Sequence, residues 1–194
     1  MTDFSRVPRL VRAGFVVLDR ATGVPRRTLR FQFNPDQFTR TLELAGEEAG
    51  AGTPPAESFT LEAELNADEQ PGLRLVTGVG PRIAAIAALI TPRVEDQRLL
   101  AAQAANGLLE LKSAPAELIL FHWGLQSVAP VRVTELRVTE EAFAFDLSPI
   151  RAKINLGLRV LRAQDLGFDT LAGGLALAYQ LQRQALADIG RGDP

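Results

Sequence analysis

The longest alternation of apolar and polar residues in the chain runs through residues 148–162, SPIRAKINLGLRVLR. Successive side chains of a β-strand point to opposite faces, so this alternation predicts a long strand with one buried face and one exposed face. The residues predicted to face inward are Ala152, Ile154, Leu156, Leu158 and Val160, and those predicted to face outward are Arg151, Lys153, Asn155, Gly157 and Arg159.

Strand patterns also cover five earlier segments. Residues 9–19 are apolar on both parities, which is typical of a strand buried on both faces, and a turn over 20–27 predicts a hairpin with the next strand. Residues 58–65, the third segment, alternate cleanly and are predicted to form a half-buried strand. In the second, Leu29, Phe31 and Phe33 are predicted to face inward. The five segments are 9–19, 27–33, 58–65, 116–124 and 127–145.

The last of these segments contains a change of parity. Val131 and Val133 share one parity, whereas Leu136 and Val138 share the other. One extra residue in a strand moves all later side chains to the opposite face. The change therefore predicts a β-bulge between residues 134 and 135.

Helical patterns occupy two parts of the chain. Apolar residues recur at helical spacing in 80–92, and good helix formers fill 94–105. A C-terminal helix is predicted over 169–190, with Gly190 as its stop. The segment 45–57 is rich in Gly, Ala, Pro and Glu, which predicts a mobile loop.

The order is strands, central helices, more strands and a final helix. Grouped strands without regular βα alternation indicate an α+β fold that is mostly β. We expect one β domain over residues 1–168, with a helical insertion at about 80–112. Residues 169–194 form the C-terminal helix and tail.

Composition excludes several classes of function. The 194-residue chain has no cysteine, which rules out disulfides and thiolate metal sites, and its net charge of −2 gives no support for nucleic-acid binding. No N-terminal apolar run is long enough for a signal peptide, and the longest low-charge stretch, 83–92, is about half of the roughly 20 residues that a membrane span needs. We expect a cytoplasmic protein without a signal peptide or direct membrane insertion.

Chemically active residues are sparse. His122 is the only histidine and lies between Phe121 and Trp123, a setting typical of a structural histidine. No serine lies in a nucleophile elbow, and no glycine-rich loop matches a phosphate-binding motif. We therefore expect no enzyme activity, and no catalytic, cofactor-binding or metal-binding residues.

Charged clusters have ordinary interpretations. The adjacent carboxylates are interpreted as solvated. The outward-facing Arg151, Lys153 and Arg159 form a basic stripe, which nucleic acid could use and which fits a protein interface equally well. The adjacent carboxylates are Glu47–Glu48, Glu95–Asp96 and Glu140–Glu141.

Three segments together resemble the tube-type domain of contractile injection systems, the phage-tail-like machines with an inner tube, sheath and baseplate. They are LRFQFNPDQFTRTL (29–42), ELILFHWG (117–124) and PVRVTELRVTEEAFAFDLSPIRAKINLGLRVL (130–161). Within this family, the chain resembles the baseplate-to-tube adapter proteins. Many adapters carry a LysM module, and no LysM-like segment follows residue 165 here.

The resemblance implies a small β-barrel or sandwich with a helix, assembled as a homohexameric ring. It implies a structural role at the baseplate, where the ring connects the spike or hub to the inner tube. The implied partners are the chain itself, the tube, the spike or hub and other baseplate proteins. The particle would assemble in the cytoplasm and be released by lysis.

Two alternatives remain open. An inner-tube or tube-terminating subunit of the same machine is the first. A small β-barrel that binds a ligand or nucleic acid is the second, from a different functional class.

The Asn34-Pro35 turn is interpreted as a rigid corner of this barrel. Proline fixes φ and lacks a backbone donor, so it ends a strand ladder. The Asn34 side chain can satisfy nearby backbone groups. We expect the corner to send Phe38 and Leu42 into the next strand of the barrel.

Overall fold

A computed structural model describes residues 11–44, 54–69, 78–105, 117–124 and 127–192. Strands and helices within these ranges follow the predicted order, with a 3-10 turn at Ala67–Glu69. The strands are β1 (Gly14–Leu18), β2 (Pro25–Arg30), β3 (Phe38–Glu43), β4 (Ala56–Asn66), β5 (Leu118–Trp123), β6 (Ser127–Phe143) and β7 (Pro149–Val160). The helices are α1 (Gly80–Ala87), α2 (Val94–Ala105), α3 (Ala163–Leu166) and α4 (Leu171–Arg191).

All seven strands belong to one antiparallel sheet in the order β2-β1-β5-β6-β7-β4-β3. More of the described residues lie in strands than in helices, which confirms a mostly β fold with helices. The sheet is not closed, and its outer strands are β2 and β3.

The centre of the sheet is the long hairpin of β6 and β7. All five residues of β7 that the alternation predicts to face inward are buried, from Ala152 to Val160. The β6–β7 register shifts between Val133 and Glu135, so Thr134 is the extra residue. The predicted bulge is therefore confirmed within one residue.

The two outer strands are consecutive in the chain. Residues 31–37 connect them and can span at most about 28 Å when fully extended. The sheet must therefore curve until its edges approach each other. The ring of Phe38 on β3 lies 6.0 Å from that of Phe121 on β5, across the concave face. An aromatic cluster fills this face: Phe15, Phe31, Phe38, Phe59, Phe121 and Trp123.

Two details of the connection differ from expectation. The inward alternation stops at Phe31, because Gln32 is buried and Phe33 is only half-buried. The corner leads into β3, which contains Phe38 and Leu42 as expected, but β3 pairs with β4 at the far edge of the sheet and not with β2.

The side chain of Asn34 satisfies backbone groups as predicted. Its Oδ1 accepts from the backbone N–H of Ala13, and its Nδ2 donates to the carbonyl of Val11, both at 3.0 Å. Asn34 thereby extends the pairing of this segment with the chain before β1.

The helices agree with expectation except at their ends. Helix α4 continues through Gly190 to Arg191, so the predicted stop is wrong; Gly192, with a φ of 75°, provides the left-handed cap. The short helix α3 has no counterpart in the sequence analysis. Ala172, Ala176 and Tyr179 bury the first half of α4 against the sheet.

The predicted loop over 45–57 is wrong at its end, because β4 begins at Ala56 and Glu57 is buried. Residues 45–53 lie outside the described residues, as do residues 106–112 of the expected helical insertion. Within the described ranges, every helix is too short or too polar to cross a membrane.

Candidate functional site

A cleft of about 470 Å³ lies between the two edges of the curved sheet. Its sides are β2 with Phe31 and Gln32 on one edge and the end of β4 on the other, and α1 forms a third wall. Strand β3 pairs with β4 only from Ala56 to Leu61, so the rest of β4 has no strand neighbour on this side among the described residues. We call this opening, between β2 and residues 62–66 of β4, the seam.

Gln32 bridges the seam at one end. Its Nε2 donates to the carbonyl of Asn66 at 2.7 Å, and its Oε1 accepts from the Asn66 backbone N–H at 3.0 Å. A buried amide must have such partners, because an unsatisfied one costs about 1–3 kcal/mol. A side chain thus takes the place of a paired strand at this point.

Three arginines surround the cleft. Arg30 and Arg82 line it. Burial lowers the pKa of Arg82, and the charge of the nearby Arg12 lowers it further. No carboxylate lies within ion-pair distance of the three among the described residues. The one acidic lining residue, Glu64, has Arg151 as its partner, with Oε1 3.6 Å from the arginine Nε.

A second polar cluster surrounds Glu57 of β4, which is only 4% exposed. Its carboxylate accepts from the Tyr179 hydroxyl at 2.9 Å and from Arg183 NH1 at 2.7 Å, and Arg40 Nε lies 3.2 Å away. Burial, followed by the Glu57 charge, raises the pKa of Tyr179. Every member has a partner within the cluster, so the arrangement ties β3, β4 and α4 together.

The turn that joins β6 to β7 carries exposed apolar side chains. Phe143, Phe145 and Leu147 are 48%, 103% and 78% exposed, and we call these three residues the hairpin tip. Leu147 has a φ of 65°, a left-handed conformation that is unusual for leucine. Asp146 shapes the turn by accepting from the backbone N–H of Ser148 at 3.0 Å.

His122 lies in β5 directly opposite Gly14 of β1. Its Nε2 would be 3.1 Å from a Cβ atom at Gly14, so the ring packs over the glycine. Burial lowers the pKa of His122, and the charge of Arg30 lowers it further. These contacts agree with the structural interpretation of this histidine.

Of the other charged residues that the sequence singles out, the structure brings together only Lys153 and Glu141 among the described residues. Of the basic stripe, Arg151 pairs with Glu64, and Lys153 Nζ lies 3.1 Å from Glu141 Oε1. The pairs Glu95–Asp96 and Glu140–Glu141 lie on α2 and β6, and Glu47–Glu48 lies outside the described residues. In the described part of the chain, no three carboxylate or histidine side chains could share a metal ion.

The seam and the Glu57 cluster were not predicted from the sequence. Both depend on contacts between segments that are far apart in the chain, such as Gln32 with Asn66 and Glu57 with Tyr179. A polar residue such as Gln32 inside an aromatic strand pattern is the only local signal.

The chain matches no protein-family model, and no curated protein aligns with it significantly.

Proposed function

We propose that this chain is a structural ring subunit of a contractile injection system. Its place is the baseplate, where a homohexameric ring connects the spike or hub to the inner tube. The three sequence segments that resemble tube-type domains support this proposal. They supply the main parts of the curved sheet: the connection between its outer strands, the aromatic strand β5 and the β6–β7 hairpin.

The hairpin tip is the observation that carries the proposal. Monomeric proteins rarely place several large apolar side chains together on a protruding turn, because water contact with apolar surface is unfavourable. Phe145 and Leu147 are almost fully exposed, and their turn lies at the end of the longest hairpin of the sheet. Burial of these side chains against a neighbouring ring would remove that cost.

The open sheet edges support assembly as well. An unpaired edge is a template for another chain, and proteins usually cover or pair such edges. In the proposed tube-protein-like ring, a neighbouring subunit covers the outer edge of β3, which has no second strand partner among the described residues, and leaves the seam free. The exposed Leu181, Leu186 and Ile189 on the second half of α4 provide a further apolar surface for these contacts.

The same features suit an inner-tube or tube-terminating subunit, so position within the particle needs a direct observation. A nucleic-acid module that uses the basic stripe is disfavoured, because two of the three stripe residues already have carboxylate partners. Phosphate binding needs cations that are free to replace counterions.

Co-expression with the tube and spike or hub proteins of the same gene cluster tests the proposal. We expect hexameric mass by light scattering, and electron microscopy should show one ring between spike and tube. The double variant Phe145→Ser, Leu147→Ser should fold normally and fail to join the ring stack. Leu44→Ser, which removes another highly exposed apolar side chain, is the matched control.

A chain that stays monomeric with these partners present would contradict the proposal. Intact, functional particles after deletion of its gene would contradict it as well. A ring located at the distal end of the tube would favour the tube-terminating alternative.

A further inference from the structure

We propose that the seam binds an extended acidic segment of a partner polypeptide, which adds a strand between β2 and β4. The chemistry of this partner is an alternation of carboxylate and aliphatic side chains. The inference goes beyond the proposed ring function and does not depend on it.

The edge of β2 offers unpaired backbone groups to the seam. Phe31 N–H donates to the Ala13 carbonyl at 2.9 Å, so the backbone of Phe31 points toward the chain before β1. Backbone groups of successive strand residues point to opposite edges. Thr28 and Arg30 therefore direct their N–H and C=O groups away from β1, into the seam.

The edge of β4 is arranged in the same way. Asn66 uses both its N–H and its C=O for the side chain of Gln32 across the seam. By the same alternation, Glu64 also directs its backbone groups there. The β3 register ends at Leu61, so Glu64 has no strand partner on this side among the described residues.

Between the two edges lies an apolar floor. Leu29 and Phe31 of the first edge face Ala63 and Leu65 of the second, with Ile154 below them. Every other side chain of an added strand would meet this floor, and the remaining side chains would point outward. An aliphatic residue at every second position of the added strand would pack against this apolar floor.

The arginines around the seam favour acidic side chains at the outward positions of an added strand. Arg12, Arg30 and Arg82 have no carboxylate partner in the described part of the chain, and two of them line the cleft. Glutamate or aspartate side chains on the exposed face of an added strand would pair with them. Two facing rows of backbone groups favour an extended peptide, since a small amphipathic acid would leave both rows unpaired.

Fluorescence anisotropy with the full chain tests this inference. The probe is a labelled eight-residue peptide of alternating glutamate and valine. We expect saturable binding, and protection of the Thr28, Arg30 and Glu64 amides from hydrogen exchange. N-methylation of alternate peptide bonds should weaken binding about tenfold or more, because each methylated amide loses its hydrogen bond to an edge of the seam.

Charge exchange supplies the second arm. The double variant Arg30→Glu, Arg82→Glu should bind the glutamate peptide at least about tenfold more weakly and should gain affinity for the corresponding lysine peptide. Arg98→Glu on α2, an equal charge reversal at an exposed residue away from the seam, should leave both affinities unchanged.

Several results would overturn the inference. One is equal affinity for the N-methylated and unmodified peptides, and another is the absence of any binding. A third is binding of decanoate at the seam without binding of the peptide, which would identify a small-ligand site. Self-association that the Arg30→Glu, Arg82→Glu variant abolishes would identify a second copy as the occupant. Failure of the ring proposal would leave all of these measurements unaffected.

Discussion

The Tyr179 hydroxyl of α4 donates a 2.9 Å hydrogen bond to the carboxylate of Glu57, which lies 122 residues earlier in the chain. With Arg40 and Arg183 on the same carboxylate, this bond joins the C-terminal helix to β3 and β4. The contact makes the first half of α4 part of the domain.

Glu57→Gln should lower the free energy of unfolding by about 2–3 kcal/mol, because two arginines lose their charged acceptor in a buried setting. Tyr179→Phe should cost only about 1 kcal/mol, since Glu57 keeps both arginines. Urea denaturation measures both values, with Gln184→Ala on the exposed face of α4 as the control. Equal costs for the two variants would show that the arginines contribute nothing.

Asp19 in the β1–β2 turn gives a pH-dependent prediction. The backbone N–H of Thr22 and the side chain of Arg26 lower the pKa of Asp19 from 3.8 to about 2. A lowered folded-state pKa means that the stabilisation is present above the unfolded-state value and is lost as pH falls through the folded-state value. The stability gap between the natural chain and Asp19→Asn should therefore shrink as pH falls from about 4 to about 2. A gap that stays constant over this range would contradict the assignment.

Two adjacent glycines of α4 should respond oppositely to alanine. A Cβ at Gly173 would lie 2.0 Å from the carbonyl oxygen of Gly167, whereas a Cβ at Gly174 meets no atom within 4 Å. Gly174→Ala should raise the unfolding free energy by about 0.5–1 kcal/mol, because glycine is a poor helix former. Gly173→Ala should lower the thermal midpoint. Calorimetry on the pair tests whether α4 packs this closely on the turn before it.

Leu147 should tolerate glycine with a gain in stability. Its φ of 65° is costly for leucine and free of strain for glycine, and its exposed side chain loses little packing. Glycine also raises the conformational entropy of the unfolded chain, which offsets part of the gain from relieved strain. We expect a net stabilisation of about 0.5 kcal/mol. If the hairpin tip contacts a neighbouring ring, the same variant should weaken assembly. A Leu147→Gly variant that is more stable and still assembles fully would argue against the tip as an interface.

The sequence predicted those parts of the fold that depend on local pattern. The alternation in β7 located a fully buried face, and the parity change in β6 located the bulge at Thr134, because both follow from the two-residue period of a strand. The helix stop at Gly190 was wrong because a glycine ends a helix only where the backbone turns left-handed, which occurs at Gly192.

Strand order and the candidate surfaces could not be predicted in the same way. The connection at Asn34 gives no local sign that it joins opposite edges of a sheet, since the same turn would serve a hairpin. Glu57 lies after a proline-rich stretch that is typical of a loop, and only its distant partners explain its burial. Local sequence patterns do not encode such pairings.

The short connection over residues 31–37 also has a consequence for how this domain can vary. Because it links the two free edges, its length limits how widely they can separate, as a spacer of fixed reach. Doubling a loop costs only about 0.6 kcal/mol in closure entropy. An insertion after Asp36 could therefore widen the opening at little expense in stability, and a deletion would narrow it. The size of whatever enters between the edges can thus be adjusted without any change to the aromatic core.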